Sequence, residues 1–426
     1  MKQSLVISCP ASSRSGYGDH TRDLIRSLIA MDRFNISIMD QRWGNCPRTA
    51  LSPDDIIAKL ILPKGRQLTT QPDVWIQVTV PNEFKRMGKY NIGITAGIET
   101  DRVAPEWIQG MNQMDMNIVP SQHAKMVFEQ TAYDQKDQNG NVRQTVKCDK
   151  PTHVLFEGLN TKIFDKDVSA SFEGINSIPE SFCFLVCGHW LTGDFGQDRK
   201  DISGTLQTFI QTFKGSSNTK PALILKTSQA TFSVVDREEI LKKVRAIQAR
   251  CGVPKEQQPN IYVLHGDLTE QEMNELYNDK KVKAMISLTH GEGFGRPLLE
   301  FSATGKPTIA TDWSGHTDFL GMYTFKIPGK LDKVHPSAQD KNMIIKDSQW
   351  FFADYGYASK TMKSVYKKYK EFVAISRKQR KFVKDNFSLD AMTEEFTRII
   401  KDNIPEPVKL KLPKLKQFPK LEKVDE

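Results

Sequence analysis

Residues 287–320 decide the fold of this chain and read SLTHGEGFGRPLLEFSATGKPTIATDWSGHTDFL. An apparent strand ends at Ser287, a loop with three glycines follows, and Pro297 opens a helix. Glycines before a helix and a proline in its first turn leave backbone N–H groups directed out of the helix end. Such N–H groups can hold a phosphate or the hydroxyls of a sugar. Glu292 lies in the loop and Glu300 one turn inside the helix, so both carboxylates can face one ligand.

The rest of the chain repeats this pattern of strand, turn and helix. Amphipathic helical stretches alternate with short apolar runs that are typical of strands. These runs cover residues 5–8, 35–39, 74–80, 91–94, 117–119, 153–156, 183–187, 222–225, 261–264, 284–287 and 308–310. The alternation predicts an α/β protein whose parallel sheets carry helices on both faces.

The domain boundaries are predicted from local composition. Segment 166–181 contains turn formers and few large apolar residues, which is typical of a connection between domains. We therefore expect a first domain over residues 1–165 and a second over 166–385. Residues 386–426 are expected to form a C-terminal helix and a basic Pro- and Lys-rich tail that pack back on the first domain. The polar segment 134–150 predicts a surface loop or hairpin.

The overall composition excludes several classes of protein. Hydrophobic residues make up 38% of the chain, which together with 26 glycines excludes a mainly disordered or fibrous protein. No apolar run approaches the roughly 20 residues of a membrane-spanning helix, and residues 5–7 are too short for the core of a signal peptide. Six cysteines are scattered without a Cys-x-x-Cys pair, so we expect a cytoplasmic protein with neither a disulfide framework nor a metal cluster.

Residues 287–320 resemble the Glu-x7-Glu signature of retaining nucleotide-sugar glycosyltransferases of the GT-B fold, specifically family 4. The match extends beyond the two glutamates to the glycines, Pro297, the turn at residues 303–307 and the Ala-Thr-Asp at 310–312. In the first half, the matching residues are Glu99, Thr100, Asp101, Pro105, Trp107, Met114, Asp115, Val119, Pro120 and Ser121. The resemblance implies two Rossmann-like domains that face each other across a cleft. The first would bind the acceptor and the second the nucleotide sugar.

The resemblance also implies roles for residues of the glycine loop. Glu300 would accept hydrogen bonds from the ribose hydroxyls of the nucleotide. Glu292, together with the backbone amides of Gly293, Phe294 and Gly295, would contact the donor sugar near its reacting carbon. The side chain of Phe294 is expected to form a wall of the sugar pocket.

Three cations are the remaining candidate catalytic residues. Arg199 and Lys200 resemble the Arg-Lys pair that precedes the first helix of the nucleotide domain, and Lys226 follows an apparent strand. Fixed cations can stabilise the charge that develops on a leaving diphosphate, so no metal or other cofactor is expected. The family usually has Gly-Arg where residues 188–190 read Gly-His-Trp. The insertion at 191–198 would let Arg199 take the place of that arginine.

Gly16-Tyr17-Gly18 follows the first strand and admits three interpretations. A dinucleotide-binding fingerprint needs a third glycine at position 21, which is Thr21, so a dehydrogenase is disfavoured. A tight turn from strand to helix is the second interpretation. The third is a loop whose backbone approaches a ligand in the cleft, with the positive end of the following helix behind it. Under this interpretation Gly16 and Gly18 are donor-binding residues, and we assign His265 to the same group.

The acceptor is predicted from charge and from a second resemblance. Segment 360–385 carries a net charge of +8 out of +9 for the whole chain. A solvated helix, a contact for a polyanion and a contact for an anionic membrane all fit this charge. Residues 13–19 and 42–44 are similar to relatives in tailed bacteriophages, which decorate hydroxymethylated cytosine in their DNA. We therefore favour 5-hydroxymethylcytosine in phage DNA as the acceptor, extruded from the duplex to reach the cleft.

The candidate acceptor-side residues are Glu99, Thr100 and His123 in the first domain and Lys378 and Lys381 in the basic segment. A glycan of the cell envelope or capsule is the main alternative acceptor, and a protein or small molecule is another. A catalytically inactive nucleotide-sugar-binding protein is the alternative of a different class.

Overall fold

The computed structural model describes residues 2–66, 68–216, 219–229 and 231–406. In the first half of the described chain, the strands are β1 (Gln3–Cys9), β2 (Phe34–Asp40), β3 (Val74–Val78), β4 (Tyr90–Ile94), β5 (Met116–Val119), β6 (Ala132–Lys136), β7 (Val142–Lys147) and β8 (Thr152–Val154). The helices are α1 (Gly16–Ala30), α2 (Ile56–Lys59), α3 (Pro105–Gln113) and α4 (Gln122–Gln130). Six of these strands form one parallel sheet in the order β2-β1-β3-β4-β5-β8. Strands β6 and β7 form the predicted hairpin over segment 134–150.

The second half repeats the architecture. Its strands are β9 (Cys183–Cys187), β10 (Ala222–Lys226), β11 (Ile261–Leu264), β12 (Val282–Ser287), β13 (Thr308–Thr311), β14 (Phe325–Ile327), β15 (Gly329–Lys333) and β16 (Gln349–Ala353). Its helices are α5 (Ile202–Phe213), α6 (Val234–Arg250), α7 (Glu270–Asn278), α8 (Arg296–Ser302), α9 (Tyr355–Lys367), α10 (Tyr369–Asn386) and α11 (Leu389–Asn403). A second parallel sheet has the order β11-β10-β9-β12-β13-β14, and β15 pairs with β16 in an antiparallel ribbon.

The central strands of both sheets are apolar because helices cover both of their faces. In β1, Leu5, Ile7 and Cys9 are fully buried, and in β10 the same holds for Leu223 and Leu225. Helix α1 packs its apolar side against the first sheet. The predicted α/β architecture with two parallel sheets is therefore confirmed.

The order of the strands determines where a ligand can bind. The direction of winding reverses between β1 and β3 in the first sheet and between β9 and β12 in the second. At such a reversal the loops after the two neighbouring strands separate and leave a crevice, and this crevice is where α/β proteins bind ligands. The loops that follow β9 and β12 carry residues 188–201 and 288–295.

The chain passes from one half to the other twice, and the two crossing segments are hydrogen-bonded to each other. The amide of Leu159 donates to the carbonyl of Phe387 at 2.7 Å, and the amide of Leu389 donates to the carbonyl of Leu159 at 2.8 Å. Helix α11 then packs on α1 and buries Phe396 and Ile400 in the core of the first half. The Pro- and Lys-rich tail, residues 407–426, lies outside the described residues.

Segment 166–181, the predicted connection between domains, lies between β8 and β9 and packs on the second half. Ile175 and Ile178 are buried in the core of the second half. The ammonium of Lys281 donates to the carbonyl oxygens of Ile175 at 3.2 Å and Ile178 at 2.6 Å. A few apolar residues and one partly buried lysine therefore hold this otherwise polar segment on the second half.

The basic segment 360–385 was expected to be one helix and is two. Helix α9 packs on α5, whereas α10 packs on α8, and the chain changes direction between them at Lys368 (φ −117°, ψ 33°). Val365 is buried, and Tyr369 and Phe372 are half-buried, so both helices have an apolar side beneath their lysines. Among the described residues, no helix is both long and apolar enough to span a membrane.

Candidate active site

Glu292, Arg199 and Lys200 lie together at the crevice of the second sheet. The ammonium of Lys200 donates to Oε1 of Glu292, and Nη1 of Arg199 lies 3.9 Å from Oε2 of the same carboxylate. Arg199 also donates to Oε1 of Glu99 in the first domain at 2.7 Å. Burial raises the pKa of Glu292, but Lys200 and Arg199 outweigh this effect and hold the pKa below its ordinary value. The site therefore contains two cations held in place by one carboxylate from each domain.

The backbone of Arg199 is bonded to the loop that carries Glu292. The carbonyl oxygen of Arg199 accepts hydrogen bonds from the amide of His290 at 3.0 Å and the hydroxyl of Thr289 at 3.1 Å. Arg199 is thus attached to the loop that carries Glu292. Trp190, the last residue of the Gly-His-Trp at 188–190, is buried in the core.

The glycine loop packs directly against the first domain. A Cβ added to Gly293 would lie 1.9 Å from the carbonyl oxygen of Ala96, and one added to Gly291 would lie 2.1 Å from that of Glu99. Only glycine allows the two backbones to approach so closely. These glycines therefore have a packing role that the sequence pattern alone does not distinguish from ligand contact.

The turn after β13 supports Glu292 from the other side. The amide of Glu292 donates to Oγ of Ser314 at 2.8 Å, and the amide of Gly315 donates to the carbonyl of Glu292 at 2.9 Å. Ser314 adopts a positive φ of 75°, which is strained for a residue with a side chain. Glu292 is consequently held by its backbone as well as by its ion pairs.

Glu300 is buried in a second cluster that also joins the domains. Its carboxylate accepts from Nε of Arg296 at 3.1 Å and from the hydroxyl of Tyr277 at 3.3 Å. Arg296 also donates to Asp23 on α1 at 2.8 Å and lies 3.7 Å from Glu157. Burial raises the pKa of Glu300 to about 8, although Arg296 opposes the rise.

Arg296 is the important residue that the sequence interpretation missed. It lies between Gly295 and Pro297, within residues 287–320, so the sequence shows an arginine next to the proposed ligand-binding loop. Its partners Asp23 and Glu157 lie far away in sequence, and no local pattern connects them to it.

The first glycine loop lies across the cleft from the loop after β11. Nε of Arg14 is 3.1 Å from Oδ2 of Asp267. A Cβ on Gly18 would lie 2.1 Å from the carbonyl oxygen of Ser13, so Gly18 is required by the turn itself. A Cβ on Gly16 would meet no atom within 4 Å, which leaves its backbone open to a ligand.

Lys226 and His265 lie beside each other at the ends of β10 and β11. The ammonium of Lys226 donates to the carbonyl of Gly266 at 2.7 Å, and burial lowers the pKa of this lysine. His265 contacts Asp236 through Nε2 at 2.7 Å. The contacts of these two residues do not include Glu292.

Of the remaining predicted site residues, three lie at the interface between the domains and two lie on the outside of the second domain. Glu99 and His123 lie at the domain interface. Thr100 is buried there and donates to the carbonyl of Arg102 at 2.8 Å. Lys378 and Lys381 are on α10, outside the cluster around Glu292.

Phe294 requires a correction. Its side chain was expected to form a wall of the sugar pocket, but its ring is buried beside Phe319 and Phe156, at centroid distances of 5.0 and 6.4 Å. A large apolar ring in a loop between two domains is stabilised more by burial than by exposure to a polar cleft. The backbone amide of Phe294 remains available for the predicted contact.

Several solved structures are similar to this chain over almost its whole length. Sucrose-phosphate synthase from Thermosynechococcus elongatus matches over 94% of this chain and 99% of its own, with 12% identity and a TM-score of 0.61. The chain has the GT-B fold. A glycosyltransferase from Rickettsia africae matches over 95% of this chain and 100% of its own, with 12% identity and a TM-score of 0.60. HepE from Anabaena in complex with UDP-glucose matches over 94% of this chain and 100% of its own, with 11% identity and a TM-score of 0.56.

No protein-family model matches the sequence, and no match is found among curated proteins. At 10–12% identity the structural similarity establishes the fold. The chemistry has to be argued from the side chains of this chain.

The arrangement of charges indicates what the site can do. Arg199 and Lys200 provide charged N–H donors in a buried crevice, where their interaction with an anion is stronger than in water. Glu292 and Glu300 provide carboxylate acceptors for hydroxyl groups. The site therefore combines cationic donors with carboxylate acceptors.

Proposed function

We propose that this protein is a retaining glycosyltransferase that moves a sugar from a nucleoside diphosphate sugar to an acceptor hydroxyl. The observation that carries the proposal is the buried group of Arg199, Lys200 and Glu292 at the crevice of the second sheet. The GT-B fold supports it, and so does the similarity to HepE, whose structure is a complex with UDP-glucose.

The proposed mechanism assigns each group one task. Arg199 and Lys200 bind the diphosphate and stabilise the charge it gains when the bond to the sugar breaks. Glu292 and the amides of residues 293–295 position the sugar, and Glu300 accepts hydrogen bonds from the ribose hydroxyls. The acceptor hydroxyl attacks the face that the diphosphate leaves, and an oxygen of the leaving phosphate takes its proton. Attack on that face retains the anomeric configuration.

The reaction is proposed to need no metal or other cofactor. Arg199 and Lys200 would supply the positive charge that a diphosphate needs. Among the described residues, no group of three or more His, Cys, Asp or Glu side chains is placed to hold a metal ion. Lys226, at the end of β10, is proposed as an additional cation for the nucleotide.

We propose 5-hydroxymethylcytosine in phage DNA as the acceptor, modified in the cytoplasm of a host bacterium. Four exposed lysines on α9 and α10, together with the predicted contacts Lys378 and Lys381, support a polyanionic partner. The four are Lys360, Lys363, Lys367 and Lys370, and in the described part of the chain no carboxylate lies within 4 Å of their ammonium groups. A glycan acceptor is the alternative that the experiment distinguishes.

The test is to incubate the protein with a panel of nucleotide sugars and with hydroxymethylated or plain DNA, followed by nucleoside mass spectrometry. A sugar mass added only to hydroxymethylcytosine supports the proposal. Transfer to envelope or capsule glycans without any change in the DNA would establish the alternative acceptor. Donor binding without hydrolysis or transfer in any mixture would identify an inactive binding protein.

A further inference from the structure

Two buried aspartates flank the cations Arg199 and Lys200 in the sequence. Asp198 is 1% exposed, and Asp201 is fully buried. The carboxylate of Asp198 accepts a hydrogen bond from the amide of Ile202, at the start of α5, at 3.0 Å. The amide of Asp201 donates to the carbonyl oxygen of Asp198 at 2.7 Å. The two cations therefore lie on a short stretch of backbone that is fixed at both ends.

Asp201 has a backbone conformation that needs support. Its φ and ψ are both 45°, in the left-handed region that residues with a side chain rarely adopt. Oδ1 of Asp201 accepts from the amide of Gly204 at 3.1 Å and so caps the N-terminus of α5. This cap uses only one of the two carboxylate oxygens. The other oxygen is bonded to a different part of the chain.

The second oxygen of Asp201 is bonded to the start of α9. The hydroxyl of Tyr355, the first residue of that helix, donates to Oδ2 of Asp201 at 2.7 Å. Gly204 leaves room for the contact, because a Cβ added there would lie 2.3 Å from Oδ1 of Asp201 and 2.7 Å from the hydroxyl oxygen of Tyr355. Burial raises the pKa of Asp201, and the hydroxyl of Tyr355 opposes the rise. Tyr355 therefore supplies a hydrogen bond that the helix cap does not need.

The segment that contains Tyr355 also contacts the glycine loop. The amide of Phe351 donates to the carbonyl oxygen of His290 at 3.0 Å, and Nδ1 of His290 lies 2.7 Å from the carbonyl oxygen of Phe351. His290 precedes Glu292 by two residues. Residues 351–355 are thus bonded both to the loop that carries the two cations and to the loop that carries the carboxylate between them.

We propose that Tyr355 is a positioning residue of the transferase site: through Asp201, its hydroxyl holds the two cations against Glu292. This inference rests on the proposed function and deepens it, since it concerns the cations proposed to bind the diphosphate. Tyr355 acts through Asp201 and not on the substrate. A displacement of about 1 Å at a catalytic site can reduce the rate about a hundredfold. A bond with a structural role only would affect stability and leave turnover unchanged.

The experiment compares two tyrosines of α9. Tyr355→Phe removes the hydroxyl and keeps a ring that packs on the core of the second half. Tyr366→Phe is the matched control, because its ring packs on the same core and its hydroxyl donates instead to the carbonyl oxygen of Thr219 at 3.1 Å. Steady-state transfer measures kcat and KM for the nucleotide sugar, and thermal unfolding measures the stability of both variants.

Tyr355→Phe should lower kcat about ten- to a hundredfold, because the cations no longer meet the developing charge in the right place. Its KM for the nucleotide sugar should change less than its kcat. Tyr366→Phe should have the kcat of the wild-type protein. A kcat of Tyr355→Phe equal to that of the control would overturn the proposal.

Asp201→Asn tests whether geometry is responsible. The amide has the size of the carboxylate, can cap α5 through its oxygen and can donate to the hydroxyl of Tyr355. Because both contacts are kept, Asp201→Asn should retain most of the turnover. A loss as large as that in Tyr355→Phe would overturn the assignment.

A further measurement does not depend on transfer. In protein labelled with ¹⁵N-lysine, the ammonium signal of Lys200 is assigned by its absence in Lys200→Met. Burial lowers the pKa of Lys200 and Glu292 opposes this effect, so the signal and its titration report on the ion pair. Both should change in Tyr355→Phe and remain unchanged in Tyr366→Phe. An unchanged signal in Tyr355→Phe would overturn the positioning role, whereas a wild-type protein that consumes no nucleotide sugar would overturn the proposed function alone.

Discussion

Nη1 of Arg296 lies 2.8 Å from Oδ2 of Asp23, and this ion pair joins helix α8 of the second domain to helix α1 of the first. The side chains of Arg296 and Asp23 are 9% and 5% exposed. The same guanidinium donates to Glu300, the proposed ligand of the ribose. One residue therefore links the contact between domains to the carboxylate that is proposed to bind the donor.

Replacing Arg296 with methionine should destabilise the protein strongly. Removing one partner of a buried ion pair leaves uncompensated charge and costs about 3–5 kcal/mol. The free energy of unfolding in urea measures this loss. Arg398→Met is the control, because Arg398 is 61% exposed where it pairs with Glu395, and such exposed pairs contribute little to stability. Equal losses in the two variants would contradict the account.

Donor binding should strengthen as the pH rises through about 8. Burial raises the pKa of Glu300 to about 8, and only the ionised carboxylate can accept hydrogen bonds from both ribose hydroxyls. Calorimetric titration of the nucleotide sugar between pH 6 and 9 measures the effect, and Glu300→Gln should bind weakly without this pH dependence. If the affinity of the wild-type protein for the nucleotide sugar falls as the pH rises, and that of Glu300→Gln does not, the proposed role of Glu300 is wrong.

The raised pKa of Glu300 should also make the free energy of unfolding depend on pH. An unfolded glutamate has a pKa of about 4.3, so between that pH and about 8 the folded chain holds a proton that the unfolded chain has lost. The contribution of Glu300 to stability therefore decreases across this range. Comparing the unfolding free energies of the wild-type protein and Glu300→Gln at pH 5 and pH 9 isolates the contribution.

Gly293→Ala should separate the two domains locally and reduce transfer. The added Cβ would lie 1.9 Å from the carbonyl oxygen of Ala96, which belongs to the backbone and cannot move aside cheaply. Overpacking of this kind costs about 1–3 kcal/mol. In Gly321→Ala the nearest atom is 3.9 Å away, so this variant should behave like the wild-type protein. Transfer rates and small-angle X-ray scattering measure the effect, and full activity of Gly293→Ala would show that the close contact is unnecessary.

Lys200→Met should reduce kcat more than it changes stability. A fixed donor to a developing charge contributes about 10²–10³ in kcat in other enzymes. The variant also leaves Glu292 without its closest cation, so the pKa of this carboxyl should rise. Lys330→Met, at a lysine that is 77% exposed on β15, serves as the control. A Lys200→Met variant with normal turnover would remove Lys200 from the mechanism.

The sequence predicts the fold well because local pattern and tertiary structure agree in both sheets. Buried parallel strands are apolar runs, and the loops after them are rich in glycine and polar residues. Glu292, Arg199 and Lys200 can be named from the sequence because the residues resemble motifs of the family 4 glycosyltransferases. Their association follows from the order of the strands, which places the loops after β9 and β12 side by side.

The features that the sequence did not predict depend on contacts between distant segments. Arg296 meets Asp23 only after both domains have folded, and the hydrophobic cluster around Phe294 draws on many separate regions of the chain. The break at Lys368 follows from the different packing partners of α9 and α10. None of these contacts leaves a periodic signal in the sequence.

Proton NMR of the complete reaction tests the central claim most directly. The protein is mixed with nucleotide sugars of known anomeric configuration and with hydroxymethylated DNA, and the anomeric signals are followed over time. The account predicts that one donor is consumed and that the new glycosidic signal has the configuration of that donor, with Glu292→Gln strongly impaired. A product of inverted configuration, or no consumption of any nucleotide sugar with any acceptor, would contradict it.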